Sequence, residues 1–134
     1  MNTDLRLARI DEDGWELESG EGRHARHPET FWIPSREERE TLRVGHAAKL
    51  LFRIESVGTD GTIDRGVERM WVIVARRTQG AYVGVLDSEP KGIESSSRLA
   101  PGIELLFLPE HIVDIDEPPL DYVLRKYGAR LDLS

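Results

Sequence analysis

The sequence predicts a single α+β domain. We expect a strongly bent, mostly antiparallel β-sheet, or a partly open small barrel of five to seven strands, with a short helix and a C-terminal helix. Three observations lead to this fold class. The chain has 134 residues, which fits one compact domain. Short β-rich runs recur between turn residues, and a long helical pattern of apolar residues occurs only near the C-terminus.

The first 42 residues are predicted to form a hairpin, a loop and a short helix. Extended runs at residues 5–10 and 15–17 flank acidic and glycine turn residues, as in a β-hairpin. Residues 19–30 are rich in Gly, Glu, His and Arg and show no periodicity, which predicts an exposed loop. Ser35 and Glu38 have the spacing of a capping box, so a helix should follow over about residues 36–42.

The middle of the chain has the clearest strand patterns. Residues 49–55 alternate between polar and apolar side chains, which is typical of a strand with one buried face. Residues 67–75 are apolar on both faces, with Met70, Val72 and Val74 on one of them, which predicts a central strand covered on both sides. Residues 81–86 should pair with it as an antiparallel hairpin.

The last third is predicted to contain a connection, two strands and a helix. Residues 87–101 are polar and should form a long connection with a single helical turn. Residues 103–108 and 112–115 are short apolar strands. After two prolines, apolar residues recur at helical spacing and predict a C-terminal helix over about residues 119–128: Leu120, Val123, Leu124, Tyr127 and Leu131.

Composition excludes several functional classes. Eighteen Lys and Arg against 25 Asp and Glu give a formal charge of −7, which argues against binding to nucleic acid or to an anionic membrane surface. The absence of cysteine excludes disulfides, thiolate nucleophiles and cysteine metal ligands. No apolar run approaches the roughly 20 residues that a membrane span needs. We therefore expect a cytoplasmic protein.

The sequence motifs indicate no catalytic or cofactor site. His24 and His27 lie three residues apart, but in a predicted loop and without a second ligand pair, so a metal is not expected. The glycine-rich residues 58–66 lack the lysine of a phosphate-binding loop and the acidic spacing of a calcium loop. Residues 95–97 are serines without the glycines of a nucleophile elbow. A non-enzymatic role without cofactors is favoured.

Aromatic residues offer one candidate for a ligand cleft. Either Trp32, which follows Phe31, or Trp71 on the predicted central strand could form its floor, although core packing is the favoured role for both. Polar residues at neighbouring strand ends would then complete the cleft near Trp71. The candidate ligand-binding residues are Arg69, Trp71, Asp87, Glu89 and His111.

Four segments resemble a known family. They are residues 68–74 (ERMWVIV), 82–90 (YVGVLDSEP), 101–104 (PGIE) and 110–115 (EHIVDI). The pattern resembles the bacterial DUF2314 (YegJ-like) family of uncharacterised proteins, or a sister family, over about residues 67–116. It departs from the family at Ile103, where an acidic residue is usual, and in its serine-rich insert. The resemblance implies a small antiparallel β fold with flanking helices, and it implies no catalytic residue.

Three functional hypotheses remain open. The first is a protein-binding module whose acidic surface meets a basic protein partner. Related small domains among immunity proteins of bacterial toxin systems make an immunity-type or accessory protein one form of this hypothesis. The second is a small-molecule-binding domain or minor enzyme with a cleft near Trp71. The third is a structural subunit of a homodimer that pairs through the C-terminal helix.

Overall fold

The protein forms one curled antiparallel sheet, seen in a computed structural model that describes residues 5–88 and 99–133. Within these residues six strands pair in the order β1-β2-β3-β4-β5, and β6 also pairs with β2. The sheet curls into a half-barrel, which confirms the predicted fold class. The strands are β1 (Trp15–Glu18), β2 (Ala47–Val57), β3 (Ile63–Thr78), β4 (Ala81–Leu86), β5 (Glu104–Phe107) and β6 (Ile112–Asp116).

Short helices surround the sheet. The capping box predicted at Ser35 is present, since its hydroxyl accepts from the Glu38 amide and the Glu38 carboxylate accepts from the Ser35 amide. None of the helices within the described ranges is long and apolar enough to cross a bilayer. The helices are α1 (Ile10–Asp13), α2 (Gly20–Arg26), α3 (Arg36–Glu40) and α4 (Leu120–Tyr127), with 3₁₀ turns at Pro109–His111 and Gly128–Arg130.

Strand β2 organises the sheet because three other strands pair with it. Strand β3 runs along one side of β2, while β6 pairs with residues 47–50 and β1 with residues 51–54 on the other side. The chain leaves β5 at the far edge and returns through the 3₁₀ turn to β6, which draws the two ends of the sheet towards each other. This path gives the sheet an inner, concave face and an outer face.

The inner face holds the main core. Met70, Val72 and Val74 of β3 are 2%, 0% and 0% exposed, so the prediction of a buried central strand is confirmed. The ring of Phe107 stacks on Tyr82 with centroids 5.2 Å apart. A side chain at Gly84 would place its Cβ 2.9 Å from the Phe107 ring, which explains why glycine occupies this position in the middle of a strand.

Helix α4 covers part of the outer face. Val123 and Tyr127 of this helix pack on apolar residues of three strands, and a register shift in β3 frees the carbonyl of Ala75 to accept from the Asp132 amide at 2.8 Å. The predicted C-terminal helix is thus confirmed, with bounds within about one residue. The sheet residues of this cluster are Ala47, Ile73, Ala75 and Val85.

The predicted N-terminal hairpin is wrong. Residues 5–9 form no strand, and β1 pairs with β2 instead, with Trp15 opposite Ile54. The physical reason is Asp13, whose carboxylate accepts from the amide of Arg9 at 2.8 Å and binds the guanidinium of Arg6. These contacts favour the helical turn of α1 over an extended chain.

The predicted loop at residues 19–30 is also wrong over α2. The Ser19 hydroxyl accepts from the Gly22 amide at 3.0 Å and caps the helix. Gly20 is buried against β6, where an added Cβ would lie 2.7 Å from Val113. Tertiary packing therefore creates a helix that local propensity does not predict. Most of the predicted 87–101 connection, from residue 89 to 98, lies outside the described residues.

Candidate functional site

A row of polar and aromatic side chains crosses the outer face. Lys49 of β2 is the register partner of both Trp71 on β3 and Asp114 on β6. The amide of Asp87, just beyond β4, donates to the Trp71 carbonyl at 3.0 Å. Directly opposed residues of an antiparallel pair share one face, so the fold brings these four side chains to the same side as α4.

Trp71 occupies the centre of this row and is half-buried. The Lys49 ammonium lies 4.9 Å from the centroid of its ring and 4.0 Å from the Asp114 carboxylate. On the other side the indole packs with the apolar cluster under α4, which includes Tyr122. Trp71 therefore lies where the predicted cleft would be, but Lys49 and α4 take up much of its surface.

Asp87 fixes α4 to the end of β4. Its carboxylate accepts from the hydroxyls of Tyr122, at 2.9 Å, and Tyr127, and from the Lys126 ammonium at 3.3 Å. Burial alone would raise the pKa of Asp87, but the hydrogen bonds from Tyr127, Tyr122 and Lys126 outweigh it and hold that pKa below its usual value. We call these four residues the Asp87 clamp.

The clamp also affects its donors. Burial and the hydrogen bond to Asp87 raise the pKa of Tyr127 to about 12, because ionisation would place a second anion beside the carboxylate. Hydrogen bonds to Tyr122 and Asp87 raise the pKa of Lys126. With three donors on one carboxylate, Asp87 stabilises the helix, and a ligand-binding role for it stays a prediction.

His111 lies in a different environment from the clamp. It is 7% exposed, and its Nδ1 accepts from the Leu108 amide at 3.0 Å. Burial lowers its pKa, so the neutral imidazole is favoured. Arg39 holds the same turn by donating to the Pro109 carbonyl at 3.1 Å. No hydrogen bond, ion pair or ring contact among the described residues joins His111 to Trp71 or Asp87.

Arg69 borders a small pocket on the outer face, two residues from Trp71 along β3. The pocket has a volume of about 190 Å³, and the guanidinium of Arg69 lies 5.4 Å from the centroid of the Phe31 ring. Trp32 is 70% exposed, so core packing is the wrong expectation for it. We call this the aromatic–cationic pocket; its lining residues are Thr30, Phe31, Trp32, Lys49, Arg69, Val113 and Asp114.

Helix α2 holds the loop that forms one wall of this pocket. The Nδ1 atom of His24 is hydrogen-bonded to the Phe31 carbonyl at 2.6 Å, and the Phe31 amide donates to the His27 carbonyl at 2.9 Å. Arg23 lies 5.5 Å from the Phe31 ring, on which Arg69 also packs. His24 therefore positions Phe31 through its side chain, and His27 does so only through its backbone carbonyl.

The fold brings together only some of the predicted candidate residues. Arg69 and Trp71 share the outer face, and Asp87 bonds to the backbone of Trp71, whereas His111 is separate and Glu89 lies outside the described residues. Sequence reasoning missed Lys49 as a site residue, although its place on the polar side of the alternating strand marked it as an outer-face neighbour. Across residues 5–88 and 99–133 no group of three His, Asp or Glu side chains could hold a metal.

A second exposed surface lies on α4. Leu120 and Leu124 are 64% and 40% exposed, although Val123 and Tyr127 of the same helix are buried. The segment from residue 114 to 124 carries four carboxylates and no Lys or Arg. We call the two leucines, together with the exposed Asp116, Glu117 and Asp121, the leucine face.

Comparison with known proteins gives no relative. No family model, no curated protein and no solved structure matches the chain. The resemblance to the DUF2314 family therefore stays a prediction.

Proposed function

We propose that this protein is a non-enzymatic protein-binding module, of an immunity or accessory type, that binds a basic protein partner through the leucine face. The observation that carries the proposal is the exposure of Leu120 and Leu124 at 64% and 40%. They lie four residues apart, so they form one apolar strip along the helix surface. Clustered exposed apolar residues rimmed by polar groups are typical of protein interaction sites.

The chemistry of the partner follows from the rim of the leucine face. Asp116 and Glu117 precede the strip in the chain, Asp121 follows Leu120, and Arg125 follows Leu124. Acidic residues therefore outnumber basic ones beside the strip, and the chain as a whole carries −7. Burying a leucine side chain completely is worth about 1.5–3 kcal/mol, so the two leucines supply affinity. The carboxylates supply orientation and a faster encounter with a positively charged surface.

A binding role also agrees with the contacts of Asp87 and His111, the two candidate acid–base residues. The Asp87 carboxylate already accepts from three donors of α4. The His111 imidazole is buried and accepts from a backbone amide. Both groups are used in holding the structure, which leaves the leucine face as the better supported functional surface.

Affinity capture with matched variants tests the proposal. The wild type is compared with Leu120→Ser/Leu124→Ser and with the control Ile63→Ser/Val67→Ser, whose residues are 62% and 41% exposed on the β2–β3 hairpin. We expect wild type and control to recover a basic protein from native lysate at low salt, less of it at moderate salt, and the leucine-face variant to recover none. The captured protein, once purified, should bind in the same order in a direct titration.

Two kinds of result, one from affinity capture and one from light scattering, would contradict the proposal. One is recovery of no partner at either salt concentration, or of a partner that the leucine-face variant binds equally well. The other comes from light scattering. A homodimer that Leu120→Ser/Leu124→Ser dissociates, and that Ile63→Ser/Val67→Ser leaves intact, would show that a second copy of this chain covers the leucine face.

A further inference from the structure

The aromatic–cationic pocket has the chemistry of a ligand site that is independent of the leucine face. It is lined by two cations, Arg69 and Lys49, together with the indole of Trp32 and the ring of Phe31. Helix α2 fixes the loop of the pocket through His24 and His27. The Phe31 side of the pocket is therefore held in place, which lowers the entropic cost of binding there.

Arg69 is the strongest anion-binding group of the pocket. Within the described part of the chain it forms no ion pair and donates no hydrogen bond, while its guanidinium packs on Phe31 at 5.4 Å. A cation–π contact engages the charge of the group and leaves its N–H donors available. An arginine with free donors binds a carboxylate through two parallel hydrogen bonds.

Lys49 adds a second positive charge to the pocket. Its ammonium is 4.0 Å from the Asp114 carboxylate, at the limit of an ion pair, and 4.9 Å from the centroid of Trp71. The net charge of the lining is positive although that of the whole chain is −7. Screening limits the repulsion by distant carboxylates to about 8 Å at physiological salt, so Arg69 and Lys49 determine the local preference for an anion.

Trp32 and the size of the pocket define the rest of the ligand. An indole that is 70% exposed offers a flat apolar surface on which an aromatic ring stacks. Sites for drug-sized ligands usually have volumes of about 300–1,000 Å³. A pocket of about 190 Å³ suits a ligand with a single ring.

We propose that the aromatic–cationic pocket binds a small aromatic carboxylate, with the carboxylate on Arg69 and Lys49 and the ring against Trp32. This site goes beyond the proposed protein-binding function and uses none of the residues of the leucine face.

An NMR titration of the full chain tests the proposal with three probes: phenylacetate, its neutral analogue phenylacetamide, and acetate. The readout is the indole N–H resonance of Trp32, identified by its loss in Trp32→Phe. We expect phenylacetate to shift it saturably. Each of the other two probes should bind at least about tenfold more weakly, the factor that corresponds to one lost charge-assisted hydrogen bond or one lost stacking contact.

Matched arginine variants locate the carboxylate. Arg69→Gln removes the charge from an exposed side chain, and Arg65→Gln makes the same change four residues away on the same strand and face, where Arg65 pairs with Glu55 at 3.1 Å. We expect Arg69→Gln to weaken phenylacetate binding at least about tenfold and Arg65→Gln to leave it unchanged. Trp32→Ala, followed through the Trp71 indole, should weaken binding in the same way.

The proposal is overturned if the Trp32 shift does not saturate, if phenylacetamide or acetate binds as well as phenylacetate, or if Arg69→Gln binds like the wild type. Leu120→Ser/Leu124→Ser should bind phenylacetate normally. Loss of capture and loss of phenylacetate binding are therefore separate results, and one proposal can fail without the other.

Discussion

The two faces of this sheet are covered in different ways. The inner face is filled by large apolar side chains such as Phe52, Met70 and Phe107, all at most 2% exposed. The outer face is covered in part by the short helix α4, which rests partly on the small side chains of Ala47 and Ala75, and in part by the loop that carries Phe31. There the Asp87 clamp adds hydrogen bonds to limited apolar contact.

Because they are covered differently, the two faces should respond to different perturbations. Apolar burial scales with the area removed from water and does not depend on the protonation of a side chain. The clamp depends on an ionised carboxylate, whose hydrogen bonds weaken when it is protonated. We therefore expect the inner face to determine global stability, and the outer face to determine how firmly α4 is held and how that changes with pH.

The largest expected effect comes from the inner face. Phe107→Ala removes a fully buried ring that stacks on Tyr82, and it should lower the free energy of unfolding by about 3–5 kcal/mol, measured by urea denaturation. The control Val67→Ala, at a position 41% exposed on the outer side of β3, should change it by about 0.5 kcal/mol or less. Similar losses in both variants would contradict this description of the inner core.

The next effect comes from the clamp. Asp87→Asn removes the charge that Tyr122, Tyr127 and Lys126 share, and it should lower the free energy of unfolding at neutral pH by about 1–3 kcal/mol. The matched control is Asp121→Asn, an exposed carboxylate of α4 with no hydrogen bond or ion pair within the described ranges. It should cost less than about 1 kcal/mol, the contribution of one exposed acidic residue in the first turn of a helix.

The pH dependence of this clamp effect has a definite sign. The pKa of Asp87 is lower in the folded protein than in the unfolded chain, where it is about 3.9. Its contribution is therefore complete above about pH 4 and is lost as the pH falls through the folded value. The difference between wild type and Asp87→Asn should shrink over that acidic range. A difference that is constant from neutral to acidic pH would mean that the charge of Asp87 does not stabilise α4.

The strands were predictable where the order of apolar and polar residues along the chain is enough to show which faces are buried. Strand β4 was predicted at its observed bounds, and β3 was correctly placed at the centre, because residues 67–75 are apolar on both faces. Helix α2 was missed because its sequence lacks an apolar stripe and its stability depends on Gly20 packing against Val113, which are far apart in sequence.

The candidate site was less predictable than the fold for a similar reason. Arg69 and Trp71 could be placed together because they lie two residues apart on one strand. The clamp could not be predicted without knowing that α4 crosses the sheet and brings Tyr122 and Tyr127 to Asp87. The backbone of Phe31, next to Trp32, is held by His24 of α2, a helix that the sequence did not predict. The clamp thus depends on long-range contacts, and the Phe31 loop on a side-chain hydrogen bond that no periodic pattern reveals.

Native-state hydrogen exchange in increasing urea is the most direct test of whether α4 unfolds from the sheet as a separate unit. We expect amides of α4, such as those of Val123 and Tyr127, to exchange through a low-energy opening that depends weakly on urea. Amides of β2 and β3, such as Leu50 and Val72, should exchange only with global unfolding and depend steeply on urea. If both sets share one opening free energy and one urea dependence, the helix and the sheet unfold as a single unit and this expectation is wrong.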